Sequence, residues 1–407
     1  MMGCVLVFAV ASVAAHGAGK TKSRRVVVSP KAHAIALANV ARQMTPCSSC
    51  LVNADALAPF FDRLARANEV HELVRVLQFG DSHTASDDLA NGMRLHFQSR
   101  HGNGGPGFVT AGQIRYYRRL DVQIQNSFGW VVQGPIGHVG DQRHGLSGLS
   151  ITADRPGETA SIKTSTEHLE LWFLRQPEGG PLGIEIDGQP VATVETQGEL
   201  STGVYRLNTE LGEHMYAART LSDKQVRLFG WIAENQQGLT WETLGINGAQ
   251  SKIILDWDKT LWSEQLGKRD PALIVVAYGT NESVSPKWNA ADYRGTLVRL
   301  INEIRDTVPG AAVLLLGPPD CGPPRRFPNL SQVIVIQREV AREKGVAFWD
   351  WRAHMGGPGS NGTWARAGLM RSDYTHFTSE GYRIGGSTLA SELDLEFQRN
   401  RAGKTPE

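Results

Sequence analysis

Four cysteines in 407 residues are too few for a disulfide scaffold. No apolar stretch reaches the roughly 18–20 residues that a membrane-spanning helix needs. Neither sign of charge is in excess: 42 Lys and Arg against 41 Asp and Glu leave a formal net charge of +1. That balance argues against nucleic acid as the main partner, because proteins that neutralise a phosphate backbone carry a basic surplus. A Walker-type phosphate loop, a His-Glu-x-x-His zinc motif, internal repeats and long low-complexity tracts are all missing. What is present is a packed chain. At 41% hydrophobic and 20% charged residues it is too apolar for disorder. Its length exceeds the needs of one compact domain and suits one large domain with a second module. Forty-four glycines and ten tryptophans fit a loop-rich protein with aromatic contact surfaces.

The longest apolar run, Gly3 to Ala15, precedes small residues and then Lys20, Lys22, Arg24 and Arg25. It reads as the hydrophobic core of a secretory signal over residues 1–18, with cleavage near Ala15 or Ala18, although no Lys or Arg precedes it. A periplasmic or secreted, envelope-associated protein is therefore expected. Cys4 would leave with the signal. In an oxidising compartment Cys47 and Cys50 can close a small local loop, with no βαβ unit around them for a thioredoxin-like role. Residues 19–52 read as a linker or N-terminal arm, and 399–407 as a tail.

Helical spacing of Leu57, Phe60, Phe61 and Leu64 predicts an amphipathic helix over Ala54–Ala67. Val74 to Phe79 is a short β-branched run ending at Gly80-Asp81-Ser82-His83, and a helix carrying Leu89, Met93 and Phe97 follows. From about 120 to 237 helical periodicity gives way to short alternating segments, such as His168–Leu174 and Val226–Ile232, divided by turn signals. This predicts an inserted all-β sandwich or jelly roll. Apolar strands at Ala272–Tyr278, Val313–Leu316 and Val346–Trp351 then alternate with helices, the last over Ser379–Gln398. The expected fold is α/β: a central parallel sheet covered on both faces, built from residues 53–119 and 238–398 and interrupted by the β module at 120–237.

Ligands of open parallel sheets bind beyond the carboxyl ends of the strands, and several polar residues fall there. Ser82 follows the first strand and precedes a helix; Asn281 stands in Gly279-Thr280-Asn281 after a strong strand. Gly248 follows a strand expected near Glu242–Leu244, while Asp373 and His376 lie in a turn before the last helix. Taken singly, these are a helix cap, a turn residue, a glycine for positive φ, a surface acid and a loop histidine. Taken together, the three-residue spacing lets Asp373 hold one side of the His376 ring while the other side faces a serine. Several neighbours carry plainer expectations. Asp87 and Asp88 suit the dipole of a helix start, and Asp350 and His354 a strand-end salt link. Gly102–Gly107 would be an active-site rim or a flexible turn. Trp130, Trp172, Trp231 and Trp241 would stack on sugars or, in the simpler view, pack in the core.

These blocks resemble the SGNH (GDSL-type) hydrolase superfamily: Gly80-Asp81-Ser82, Gly248, Gly279-Thr280-Asn281 and Asp373-Tyr374-Thr375-His376 occur in that superfamily's order. Within it, Gly80-Asp81-Ser82-His83-Thr84, the Gly-rich 102–108 segment and Leu171–Leu174 leading to Ile186-Asp187-Gly188 are most similar to neisserial-type peptidoglycan O-acetylesterases with an inserted carbohydrate-binding-like module. The resemblance covers about residues 53 to 397. It implies a flavodoxin-like three-layer domain, with Ser82 as nucleophile, His376 as general base and acid, and Asp373 as its orienting acid. It also implies an oxyanion hole of the Ser82 and Gly248 N–H groups and the Asn281 side-chain amide. No metal or organic cofactor is implied. The expected partner is an O-acetylated polysaccharide, peptidoglycan first, hydrolysed through an acyl-enzyme. An O-acetyltransferase with the same triad, an acetylxylan-type esterase and a non-catalytic glycan-binding protein are the other readings; oligomeric state is not readable.

Overall fold

The computed structural model describes residues 28–403 apart from 48–49, 116, 135–139, 211 and 324–325. The expected signal at 1–18 lies outside the described residues. The chain opens with α1 (Pro30–Gln43), α2 (Ala58–Val70), β1 (Leu73–Gly80), α3 (Ser82–Ala85) and α4 (Asp88–His101). Eleven strands follow: β2 (Gly107–Thr110), β3 (Gln123–Asn126), β4 (Val131–Gln133), β5 (Ser150–Ala153), β6 (Thr159–Thr164), β7 (His168–Arg175), β8 (Pro181–Ile186), β9 (Gln189–Glu195), β10 (Ser201–Asn208), β11 (His214–Thr220) and β12 (Val226–Glu234). Alternation then returns with β13 (Gly238–Gly245), α5 (Lys259–Arg269), β14 (Leu273–Ala277), α6 (Ala290–Thr307) and β15 (Ala312–Leu316). The chain closes with α7 (Leu330–Lys344), β16 (Ala347–Trp349), α8 (Trp351–His354), α9 (Asn361–Arg366) and α10 (Ser379–Ala402).

Strands β13-β1-β14-β15-β16 form one parallel sheet. Counted by their sequence order the strands run 2-1-3-4-5, the flavodoxin-like arrangement, whose switch point lies between β1 and β14. Side chains alternate across such a sheet. Leu273 and Val275 enter a core with α2, α4 and α10, through Phe60, Met93 and Leu389. Ile274 and Val276 enter a second core with α5, α6 and α7, through Leu266, Leu300 and Val333. With both faces covered, β14 reads as an unbroken apolar run.

The inserted segment forms a six-stranded and a five-stranded antiparallel sheet, a β sandwich. The short strand β2, N-terminal to the expected module start at 120, pairs with β12 in this sandwich. Leu169, Leu171 and Phe173 of β7 fill the space between the two sheets. Trp172 and Leu174 point the opposite way and join Trp262 of α5. All four singled-out tryptophans (130, 172, 231 and 241) are buried, so they pack in the cores and present no stacking face. Where the two units meet, buried Arg269 of α5 pairs with Glu242 of β13 and Glu234 of β12, and Arg75 of β1 holds Glu234 from the other side at 2.8 Å.

Three local expectations are corrected. The helix predicted from Ala54 begins as a 3₁₀ turn at Ala54–Leu57, and α2 starts only at Ala58, with Pro59 in its first turn, where no N–H is needed. Asp87 does stand at the start of α4, but it is a buried residue with φ 65° that pairs with Arg94 of the same helix and accepts from Leu120 N–H, so specific partners and not the dipole alone hold it. His354 does not pair with the Asp350 carboxylate. Its Nε2 lies 3.0 Å from buried Glu392, while Asp350 binds Arg338 and caps α8. Cys47 and Cys50 are joined in a disulfide, and Cys321 is buried and free.

Candidate active site

Register brings the loops together. Gly80 of β1 sits opposite Gly245 of β13 on one side and Ala277 of β14 on the other. Ser82, Gly248 and Asn281 each follow those residues by two to four positions, so they emerge on one row at the switch point. Gly80 cannot carry a side chain: a Cβ would lie 2.1 Å from Thr84 Oγ1 and 2.8 Å from the Ala277 carbonyl. Asp81 then caps α3, its Oδ1 accepting from His83 N–H at 2.9 Å. Ser82 is the first residue of α3, so its N–H has no acceptor within the helix.

The segment before α10 supplies the partners. Asp373 Oδ1 accepts from the N–H groups of Thr375 and His376, both at 2.9 Å, and closes a tight turn. Its Oδ2 lies 2.7 Å from His376 Nδ1, and His376 Nε2 lies 2.9 Å from Ser82 Oγ. Burial alone would raise the Asp373 carboxyl. The N–H and ring of His376, with Thr375 N–H, outweigh it and hold the group below the usual carboxylate range. The structure thus brings Ser82, His376 and Asp373 into one hydrogen-bonded chain, the arrangement that lets a histidine draw a proton from a hydroxyl.

Gly248 takes φ 75° at the third position of the Ile246–Ala249 turn, closed by Ala249 N–H to Ile246 O at 3.1 Å. Asn281 Nδ2 donates to Ala249 O at 2.9 Å and lies 3.4 Å from Asp81 Oδ2, which ties the loops after β1, β13 and β14 together. Burial, with Glu282 nearby, pushes the Asp81 carboxyl up to about 7. His83 turns away from the site. Its Nδ1 meets Tyr382 Oη at 2.9 Å, and burial, together with His376, pushes the ring down to about 3, so it stays neutral. Gly102–Gly107 stands clear of the site and packs instead against the start of β13, where Gly104 N–H donates to Leu239 O.

Ser82, Gly248, Asn281, Asp373 and His376 all line one open cavity of about 780 Å³. Its wall also holds residues that sequence reasoning missed: Tyr117, Arg118, Arg326, Phe327 and Arg371. Only Arg371, two residues before Asp373, lay close to a recognised block.

The GDSL-like lipase/acylhydrolase family matches residues 205–384. That stretch holds the Gly248, Asn281 and Asp373–His376 blocks; Ser82 precedes it, on the far side of the β module. A solved structure described as a peptidoglycan O-acetylesterase superposes with a TM-score of 0.74 at 26% identity, covering 86% of this chain and 100% of that one. A family two carbohydrate esterase from Cellvibrio japonicus gives a TM-score of 0.29 at 13% identity, covering 68% of this chain and 98% of its own. One from Clostridium thermocellum gives 0.31 at 12%, covering 66% and 99%. No curated protein matches the sequence.

Proposed function

We propose that this chain, an esterase whose residues 205–384 match the GDSL-like lipase/acylhydrolase family, removes O-acetyl groups from peptidoglycan outside the cytoplasm. The observation that carries this reading is the Ser82–His376–Asp373 chain in a cavity at the sheet's switch point. The likeness to a peptidoglycan O-acetylesterase along 86% of the chain supports the substrate. Export rests on the expected signal. No helix of the described residues is long and apolar enough to cross a membrane.

In this mechanism Ser82 Oγ attacks the acetyl carbonyl while His376 Nε2 takes its proton, and Asp373 stabilises the imidazolium. The developing oxyanion is met by the N–H groups of Ser82 and Gly248 and by Asn281 Nδ2, which gives up its long contact to Asp81. His376 returns the proton to the leaving sugar hydroxyl, and water, activated by the same ring, cleaves the acetyl-serine to acetate. The test is acetate release from O-acetylated peptidoglycan beside acetylated xylan, with Ser82→Ala as blank. Release from peptidoglycan that vanishes in the variant supports the reading. Release from xylan alone moves the substrate to a neutral polymer. Labelling by a serine-directed phosphonate without acetate release in water favours transfer to another sugar. No labelling removes Ser82 as nucleophile.

A further inference from the structure

Resting on that reading of the same cavity, we propose that Arg326 and Arg371 form a carboxylate-binding subsite, so that the substrate is an O-acetylated saccharide with a carboxylate close to the acetylated hydroxyl. Three guanidinium groups, of Arg118, Arg326 and Arg371, line the cavity that holds Ser82. One acidic residue, Asp373, lines it with them, and both its oxygens are committed to the His376 turn. Arg118 is already matched, donating from Nη2 to Asp88 Oδ2 at 2.5 Å. Among the described residues, no carboxylate forms an ion pair with Arg326 or Arg371. Arginines elsewhere in the fold are matched where they turn inward: Arg94 to Asp87, Arg269 to Glu234 and Glu242, Arg352 to Asp320. The cavity therefore carries a local positive surplus in a chain whose formal charge is only +1.

Both groups are positioned. Arg371 N–H donates to the His376 carbonyl at 2.8 Å, pinning its backbone beside the catalytic ring. Its Nε donates to Phe377 O at 3.1 Å, which anchors the side chain and leaves the terminal nitrogens for a ligand. The Arg326 guanidinium lies 5.7 Å from the centre of the Phe327 ring, itself part of the cavity wall. A planar guanidinium matches a carboxylate through two parallel hydrogen bonds, which a neutral acetylated polymer cannot make. Peptidoglycan supplies such carboxylates on its stem peptides and, where the peptide has been removed, on the lactyl group, and a uronic acid polymer supplies them on the ring.

The test compares kcat/KM for acetate release from soluble O-acetylated peptidoglycan fragments, intact and with carboxylates converted to neutral amides. Wild-type protein and the Arg326→Gln/Arg371→Gln double variant are run together, with 4-nitrophenyl acetate as the reference ester. Amidation is expected to lower wild-type kcat/KM about 10- to 100-fold, mainly through KM. The double variant should lose a similar factor on intact fragments and nothing more on amidation. Equal wild-type rates on intact and amidated fragments would overturn the subsite and leave the esterase reading in place. An equal loss on 4-nitrophenyl acetate would also overturn it, because the arginines would then act on the catalytic groups or the fold. An arginine-dependent preference for acetylated pectin would keep the carboxylate subsite and remove peptidoglycan as substrate. No acetate from any of these esters with wild-type protein would overturn the function on which the subsite rests.

Discussion

Asp373→Asn is expected to lower kcat by 10³–10⁴ while the fold survives, and the cause lies in how the carboxylate is held. Asp373 Oδ1 takes two backbone N–H groups at 2.9 Å, and Oδ2 takes the ring at 2.7 Å. An asparagine satisfies both backbone donors only with its carbonyl oxygen at the first position, which turns its NH₂ toward His376 Nδ1. The ring must then accept at Nδ1 and carry its proton on Nε2, the nitrogen facing Ser82 Oγ, where it cannot take the serine's proton. Turning the amide over instead leaves two backbone donors facing a donor. At about 1–1.5 kcal/mol each, that keeps the productive tautomer to about one molecule in a hundred. Loss of the charge that stabilises the imidazolium supplies the remaining factor of about 10 to 100, in line with the roughly 10⁴ that the same change costs in a serine-protease triad. The assay is steady-state acetate release against a Ser82→Ala blank, with thermal unfolding followed in parallel. Activity within tenfold of wild type, in a variant that melts normally, would refute the argument.

Asn281→Ala should cost about 10²–10³ in kcat with little change in KM, read in the same assay, if its amide meets the oxyanion. Arg269→Met should destabilise the protein by about 3–5 kcal/mol in denaturant unfolding, because buried Glu242 and Glu234 lose their shared cation. Adding Glu242→Leu should recover much of that loss, since Arg75 still holds Glu234. Asp81 takes up its proton near pH 7 in the folded chain, against 3.8 for a free carboxyl. The native state therefore holds an extra proton between those values, and stability falls as pH rises through that window. Asp81→Asn should flatten this part of a Tm-against-pH profile while keeping the cap to His83 N–H.

The parallel sheet was legible because burial on both faces leaves a plain mark. Leu273–Ala277 is five apolar residues in a row, and nothing but a doubly covered strand or a buried helix writes that pattern. The same reasoning holds at β7. Leu171–Leu174 is again an unbroken apolar run with both faces covered: Leu171 and Phe173 face the second sheet and Trp172 and Leu174 close onto Trp262, although no local pattern says that a helix about ninety residues away does the covering. The expectations for Asp87 and His354 fell short because partners come from elsewhere in the fold: Thr243 of β13 and Leu120 N–H for Asp87, beside Arg94 of its own helix, and Glu392 of α10 for His354.

The candidate triad was legible, whereas the arginines around it were not, and the difference follows from where each group sits. Ser82, Gly248 and Asn281 lie within a few residues of strands whose register is set by burial, so short loops leave little freedom in where they land. Arg118, Arg326 and Arg371 come from three longer connections with no common spacing, and only the closed fold puts them around one cavity. Loops of this kind vary while the scaffold below them persists. On this proposal the reaction is written in short blocks, at the strand ends for Ser82, Gly248 and Asn281 and in the tight Asp373–His376 turn before α10, and the choice of substrate in the arginines of the connections. Losing Arg326 and Arg371 while the Ser82–His376–Asp373 chain stays intact should therefore yield an esterase that accepts neutral acetylated polymers on more nearly equal terms, a change of preference rather than of chemistry.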